Sequence, residues 1–205
     1  SLDKAVAVVA EIIAAGGSAE ALAFDVTDRA ASAAALETLL EGGAIQILVN
    51  NAGIHADAVF PGMSGEQWDS VLDVSLNGFF NVTQPLTMPM IRTRWGRIIT
   101  ISSIAGITGN RGQVNYSAAK GALHAASKSL ALELASRNVT VNAVAPGIIA
   151  TGMIEGAFDA ETIKTLVPMK RAGKPEEVAD LVAFLASDKA AYISGQIISI
   201  NGGMI

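Results

Sequence analysis

The stretch "RIITISS" at residues 97–103 is a short apolar run ending in two serines, which is typical of a buried strand in a parallel sheet. Runs of the same kind predict further strands at 21–26 ("ALAFDV"), 45–53 ("IQILVNNAG"), 139–147 ("VTVNAVAPG") and 196–201 ("QIISIN"). Longer Ala-rich amphipathic segments predict helices at 3–15, 29–41, 64–94, 115–137 and 175–187. Because strands and helices alternate, we expect a doubly wound α/β domain, with a parallel sheet and helices on both faces.

The chain is interpreted as one domain, residues 1–205, because no internal repeat or low-complexity linker divides it. Several predicted helices have readable ends, such as Gly16-Gly17 after the first and a capping box of Ser64 and Gln67 before the third. Residues 148–174 form the one long segment without clear periodicity. In a compact domain such a segment is either a lid over a site or an ordinary surface excursion.

Composition narrows the class of protein. With 205 residues, 51% of them hydrophobic, the chain can bury a substantial core. A net charge of −5 argues against nucleic acid as the main partner. There is no cysteine and there are only two histidines, His55 and His124, so no metal site is predicted. No apolar stretch approaches the roughly 20 residues that span a membrane, and no signal peptide is evident, so we expect a cytoplasmic protein.

Three polar residues stand out in "SIAGITGNRGQVNYSAAK", residues 103–120. Tyr116 and Lys120 are four apart and therefore lie on one helix face, where an ammonium would lower the phenol pKa from its usual value near 10. Ser103 ends a predicted strand, at the sheet edge where doubly wound folds bind ligands. Taken alone, these residues are better explained as a chance helical pair and a turn serine, because so short a motif has many false positives.

Five other stretches of the sequence favour a functional role for these three residues. They are "NNAG" (50–53), "SLNGFFNVTQ" (75–84), "GRIITISS" (96–103), "NAVAPG" (142–147) and "SGQIISINGG" (194–203). With the Ser, Tyr and Lys, they resemble the short-chain dehydrogenase/reductase family along nearly the whole chain. Within that family the likeness is greatest to 3-oxoacyl-(acyl-carrier-protein) reductases, including those of aryl polyene and polyketide-type pathways.

The resemblance implies a seven-stranded parallel sheet and hydride transfer from NADP(H), with NAD(H) as an open alternative, to a ketone. Tyr116 would donate the proton, Lys120 would bind the nicotinamide ribose and lower the Tyr116 pKa, and Ser103 would hydrogen-bond the substrate carbonyl. Further cofactor contacts are implied at Asp25, Val26, Asn51, Ala52, Gly53, Pro146, Gly147, Ile149 and Thr151.

The resemblance also implies partners. Arg94 and Arg137 match positions at which carrier-protein reductases dock their acidic carrier, although both could equally be solvated charges that favour a helix C-terminus. The family likeness implies a homotetramer, in which helices 64–94 and 115–137 pair between subunits. His55 is interpreted as a surface residue or as part of the substrate entrance.

The sequence departs from the family pattern at two places. Ser75 stands where the family has a fourth catalytic residue, an Asn, and Asn77 lies about 200° around a helix from it. We expect Ser75 to keep a weaker form of that role, which is to hold a water beside the lysine. No G-x-G-x-x-G turn for the cofactor phosphates occurs. We therefore expect the natural protein to be longer by roughly 40 residues, and this chain to bind dinucleotide weakly or not at all.

The sequence predicts NADPH-dependent reduction of a 3-oxoacyl-(acyl-carrier-protein) thioester to its 3-hydroxyacyl form, in fatty acid or polyketide-like biosynthesis. One alternative is a dehydrogenase of another alcohol or ketone, such as acetoacetyl-CoA, a sugar or a steroid, because the fold does not distinguish them. The other is a non-catalytic scaffold, which the missing glycine turn and Ser75 favour and the intact Ser103, Tyr116 and Lys120 oppose.

Overall fold

The computed structural model describes residues 2–151 and 159–205. Its helices are α1 (Leu2–Ala14), α2 (Arg29–Leu40), α3 (Gly65–Leu72), α4 (Gly78–Thr93), α5 (Ala105–Thr108), α6 (Val114–Leu134), α7 (Ala160–Leu166) and α8 (Pro175–Ala186). Its strands are β1 (Ile47–Asn50), β2 (Gly96–Ile101), β3 (Val139–Pro146) and β4 (Ile197–Ile200). Within these ranges, no helix has the length and apolar character needed to cross a bilayer.

The four strands form one parallel sheet in the order β1-β2-β3-β4. The two central strands are buried over nearly their whole length, because helices cover both of their faces. Successive side chains along a strand point to opposite faces, so Ile98 packs into one core and Ile99 into the other. The predicted doubly wound α/β fold is confirmed.

Two hydrophobic cores hold the layers together. On one face, Leu86 and Met90 of α4 and Leu134 of α6 pack on Ile98 and Val141 of the sheet. On the other face, Leu185 of α8 packs with Ile99 and Val144. Each of these side chains is at most 3% exposed, so both helix layers are fixed against the strands that carry the site.

The predicted strand at 21–26 is wrong, since those residues form no ladder in the structure. A strand is stable only beside a neighbour, and within the described residues β1 pairs with β2 alone. The segment is held at its end by a helix instead. The Asn81 side chain of α4 donates to the Val26 carbonyl at 2.9 Å, and Gly78 leaves room for the Val26 side chain.

Other elements differ in detail from their predictions. The predicted helix at 64–94 is divided into α3 and α4 by a π-helical turn, Asp73–Asn77, which contains Ser75. The predicted capping box of Ser64 and Gln67 is present. The irregular region 148–174 contains α7, whose N-cap is Asp159, and residues 152–158 of the expected lid lie outside the described residues.

Candidate active site

Ser103, Tyr116 and Lys120 converge at the carboxyl edge of the sheet. Ser103 follows β2, and its hydroxyl accepts a hydrogen bond from the Ala105 amide at 3.1 Å. Tyr116 lies in the first turn of α6, and the Lys120 Nζ lies 5.5 Å from the centroid of its ring. The Lys120 ammonium also donates to the carbonyl of Ile101, in the last position of β2, at 3.0 Å. One strand end and one helix face therefore form a single site.

The protonation of Tyr116 differs from the sequence expectation. Burial raises the pKa of its phenol above 10, the nearby Asp57 carboxylate raises it further, and the Ser103 hydroxyl opposes the shift by hydrogen bonding. The Lys120 ammonium lies 5.5 Å from the ring centroid, and its charge does not outweigh the effect of burying the phenol. In the structure, Tyr116 therefore stays protonated at neutral pH and is equipped to donate a proton.

Lys120 is a buried cation with unused hydrogen-bonding capacity. The residue is 3% exposed, and burial lowers the pKa of its ammonium to about 8. Of its three donors, only the one to Ile101 has a partner among the described residues. A Cβ on Gly53 would lie 3.1 Å from Nζ, so the glycine leaves space beside the ammonium. These features fit a group with hydroxyl acceptors, such as a cofactor ribose.

The other predicted cofactor residues border the same edge. Asn51 and Ala52 are exposed directly after β1, next to Gly53. Pro146 ends β3, Gly147 follows it, and Ile149 pairs with Gly173 in a short parallel bridge. Thr151 is exposed and contacts the Ile149 carbonyl through its hydroxyl at 3.4 Å.

Asp25 and Val26 precede α2 in the segment that Asn81 holds. The Asp25 carboxylate accepts from the amide and hydroxyl of Thr27, and these bonds lower its pKa. Asp25 is thus ionised at neutral pH, and its carboxylate can accept a hydrogen bond from a donor group of adenosine.

Ser75 faces a cavity of about 160 Å³ beneath the site. Ser75 and Thr100 are among the residues that line this cavity, and their hydroxyls are buried without a hydrogen-bond partner in the described part of the chain. Two unpaired buried hydroxyls are suited to holding water, which satisfies such groups in proteins. Asn77 does not replace Ser75, since its exposed side chain donates to Asp73.

One positioning residue escaped the sequence prediction. Asn115 is fully buried, and its side-chain amide donates to the carbonyls of Ala56 and Gln67 at 3.0 and 2.8 Å. Its side-chain oxygen accepts from the Tyr116 amide at 2.8 Å. Asn115 therefore ties the start of α6 to α3 and to the loop after β1. The only sequence signal was an amide immediately before the tyrosine.

Arg94 and Arg137 are brought together, but at the opposite edge of the sheet. Arg94 precedes β2 and Arg137 precedes β3, and the Arg94 guanidinium donates to the Ser136 carbonyl at 3.4 Å. Both arginines are exposed. A six-residue strand such as β2 is roughly 20 Å long, so neither borders the Tyr116 cleft of its own chain. His55 is nearer to that cleft, beside Asp57 on the loop after β1.

The fold and the Ser-Tyr-Lys constellation define a class of reductases, and comparison with known proteins agrees. The family model described as enoyl-(acyl carrier protein) reductase matches residues 2–205. The chain therefore belongs to this family, within the short-chain dehydrogenases/reductases.

Individual relatives cover most of the chain. It is 46% identical to the 3-oxoacyl-(acyl-carrier-protein) reductase FabG of Aggregatibacter actinomycetemcomitans over 205 residues, which is 99% of this chain and 85% of that protein. It is 48% identical to the 3-oxoacyl-(acyl-carrier-protein) reductase of Synechocystis over 97% of this chain and 81% of that protein. It is 51% identical to the nodulation protein G of a Rhizobium species over 82% of this chain and 69% of that protein.

Proposed function

We propose that this protein reduces the ketone of a 3-oxoacyl-(acyl-carrier-protein) thioester to the 3-hydroxyacyl form, in fatty acid or polyketide-like biosynthesis. The convergence of Ser103, Tyr116 and Lys120 at one sheet edge is the observation that carries the proposal. The printed names of relatives at 46–48% identity support the choice of substrate.

A bound nicotinamide cofactor would supply a hydride to the ketone carbon as the carbon–oxygen double bond becomes single. The Tyr116 phenol transfers its proton to the ketone oxygen, and its raised pKa keeps that proton available at neutral pH. The Ser103 hydroxyl donates to the same oxygen and orients the carbonyl. The products are the 3-hydroxyacyl thioester and the oxidised cofactor.

For the cofactor we propose NADP(H), following the resemblance to biosynthetic reductases. Lys120 would hydrogen-bond the nicotinamide ribose, with Asn51, Ala52 and Gly53 next to it. Ile149 and Thr151, with Pro146 and Gly147, would hold the carboxamide. Asp25 and Val26 would contact the adenosine end. Parallel titrations with NADPH and NADH measure the preference directly, and tighter binding of NADH would overturn the choice.

Ser75 is proposed to act through water in the cavity that it shares with Thr100. The phenol must recover a proton after each turnover, and a water beneath the site can pass one upward from solvent. Ser75 holds that water with one hydroxyl.

Carrier docking requires a second copy of the chain, because Arg94 and Arg137 lie far from their own cleft. Helices α4 and α6 carry large apolar side chains that are exposed to solvent: Phe80 (48%), Met88 (51%) and Leu132 (85%). Exposed apolar surface of this kind indicates an outer face able to pair between subunits. If two copies pair these helices antiparallel, the C-terminal end of α6 in one lies beside the N-terminal end of α6 in the other. The arginines of one subunit would then flank the cleft of its partner. We propose a cytoplasmic homotetramer built on this pairing.

The test compares two substrates and the effect of charge reversal at the two arginines. NADPH oxidation is measured with a 3-oxoacyl carrier protein and with acetoacetyl-CoA, for the wild type, Arg94→Glu and Arg137→Glu. The charge reversals should raise KM for the carrier-linked substrate about tenfold or more and leave acetoacetyl-CoA reduction unchanged. Lys4→Glu on the exposed helix α1 is the matched charge control.

Equal losses on both substrates, or none on either, would refute carrier docking by these arginines. Faster reduction of a sugar or steroid ketone than of any 3-oxoacyl thioester would refute the substrate assignment. Sedimentation of the wild type beside Leu132→Glu tests the assembly, since the variant should dissociate from the tetramer. A monomeric wild type would refute it.

A further inference from the structure

His124 is a buried histidine that the proposed reaction does not use. It lies on α6 one turn after Lys120 and is 7% exposed. Its Nε2 lies 2.5 Å from the hydroxyl oxygen of Ser102, the residue immediately before Ser103. Burial and the charges of Lys120 and Lys128 lower the His124 pKa, so the ring is neutral at pH 7.

The hydrogen bonds around Ser102 connect three elements. The Ser102 amide donates to the Val144 carbonyl of β3 at 2.7 Å. The Ser102 hydroxyl donates to the Lys120 carbonyl on α6 at 3.2 Å, which leaves its oxygen lone pairs free for His124. If the single Ser102 hydroxyl hydrogen is directed to the Lys120 carbonyl, the neutral His124 ring carries its proton on Nε2 and donates it to the Ser102 oxygen.

The surroundings leave the pair little freedom. Gly106 of α5 packs so closely on α6 that an added Cβ would lie 2.7 Å from the Lys120 carbonyl carbon and 2.9 Å from His124 Cε1. The Lys120–His124 turn is thus confined between α5 and the end of β2. Movement of this turn relative to Ser102 would also move Lys120 and Tyr116 relative to Ser103.

We infer that the Ser102–His124 hydrogen bond is a brace that sets the distance between the Ser103 hydroxyl and the Tyr116 phenol. The inference rests on the proposed function, because it assigns value to that distance. His124 and Ser102 are positioning residues and do not touch the substrate. Since misplacement of a catalytic group by about 1 Å can cost as much as 100-fold in rate, the brace should influence kcat.

The test uses three substitutions that differ in one hydrogen bond. His124→Leu keeps an apolar side chain but removes the donor, and kcat should fall roughly tenfold with an unchanged KM for the ketone. His124→Gln places an amide donor where Nε2 lies and should recover most of kcat. Ser102→Ala removes the acceptor with almost no change in volume, and its kcat should fall by the same factor. This variant tests the brace independently if His124→Leu folds poorly.

Two further readouts separate positioning from general destabilisation. Deuterium in the transferred position of NADPH should slow the braceless variants more than the wild type, because misplacement makes the chemical step rate-limiting. The imidazole nitrogen shifts should show the proton on Nε2 in the free protein. Ser127→Ala is the matched control, since Ser127 is buried on the same helix and its hydroxyl has no partner in the described ranges.

Wild-type kcat in both Ser102→Ala and His124→Leu would overturn the brace. So would a fall in kcat that His124→Gln does not reverse. Tyr116→Phe is measured in parallel. If this variant remains active, the proposal that Tyr116 donates the proton is refuted. If it is inactive while Ser102→Ala and His124→Leu keep full activity, only the brace is refuted.

Discussion

Two buried cations occupy opposite edges of the sheet and serve different purposes. Arg97, at the start of β2, is 1% exposed, and Lys120, at the other edge, is 3% exposed. Arg97 is surrounded by partners: it donates to the Gly96 and Ser187 carbonyls, pairs with Asp188 and lies 4.4 Å from the Trp95 ring centroid. Lys120 has a single carbonyl partner among the described residues.

The two cations differ in how much hydrogen-bonding capacity burial leaves unused. Burial lowers the pKa of Arg97 as well, but its guanidinium has carboxylate, carbonyl and aromatic partners and little capacity left for a ligand, so we interpret it as a structural residue. Burial of an ammonium with only one hydrogen-bond partner destabilises the charged form in the folded state, and the lowered pKa of Lys120 reflects this. A fold retains such a group where a ligand or reaction needs it.

The largest effect is expected from Lys120→Met. Removal of the ammonium should lower kcat/KM for ketone reduction about 10³-fold, because the proposed ribose contact and the positive charge beside the phenol are both lost. The free energy of unfolding should not fall, since a desolvated charge is replaced by an apolar side chain. Steady-state kinetics and urea unfolding measure the two quantities. Lys128→Met, an exposed lysine on the same helix, is the control.

The opposite pattern is expected from Arg97→Met. The substitution should destabilise the protein by about 2 kcal/mol, because the Gly96 carbonyl loses a charged donor and the Trp95 ring loses its stacked partner. The folded enzyme should keep its kcat within about twofold, as expected of a change far from the site. A large loss of kcat at full stability would show that the two edges are not separated in function.

Activity should depend on pH through Lys120. Because the pKa of Lys120 is about 8, kcat/KM for reduction should be level below pH 8 and fall above it as the ammonium is lost. Tyr116 adds no limb in this range, since its pKa is raised above its usual value near 10. A profile that stays flat to pH 10 would contradict the assignment of Lys120 as the functional cation.

The same pKa affects stability in a defined direction. Between pH 8 and 10.5 the unfolded chain holds the lysine proton and the folded chain does not, so the Lys120 contribution to the free energy of unfolding rises with pH. Between pH 8 and 10.5, the free energy of unfolding of the wild type should therefore rise relative to that of Lys120→Met. Parallel urea titrations at pH 7.5 and 10 test it, and a constant difference between the two proteins would show that Lys120 is solvated.

The smallest effect is expected from Ser75→Asn. The cavity of about 160 Å³ has room for the amide, which can hold water as the hydroxyl does. Turnover should change by less than about tenfold, because the proton relay is not the hydride-transfer step. A thousand-fold gain in kcat would show that Ser75 severely limits the natural enzyme.

The sequence was sufficient for elements whose burial shows as a pattern. Strands β2 and β3 are buried on both faces and appear as continuous apolar runs, while α6 carries Tyr116 and Lys120 at helical spacing. The run at 21–26 has the same composition but no neighbour in the described sheet. Composition indicates that a segment can be a strand, whereas pairing decides whether it is one.

The site was only partly predictable for a similar reason. Spacing placed Lys120 beside Tyr116, but the direction of the ammonium and the depth of burial decide whether the phenol pKa falls or rises. Asn115 and His124 act through contacts with residues distant in sequence, namely Ala56, Gln67 and Ser102. No local pattern encodes those contacts.

Protonation of the ketone by Tyr116 is tested by single-turnover kinetics. NADPH oxidation by the protein is followed with saturating 3-oxoacyl carrier protein, for the wild type, Tyr116→Phe and Tyr192→Phe. Tyr192 is the other of the two tyrosines and is fully exposed, so it controls for the loss of a phenol. Tyr116→Phe should react at least about 10³-fold more slowly, while Tyr192→Phe matches the wild type. A Tyr116→Phe rate within tenfold of the wild type would contradict the account.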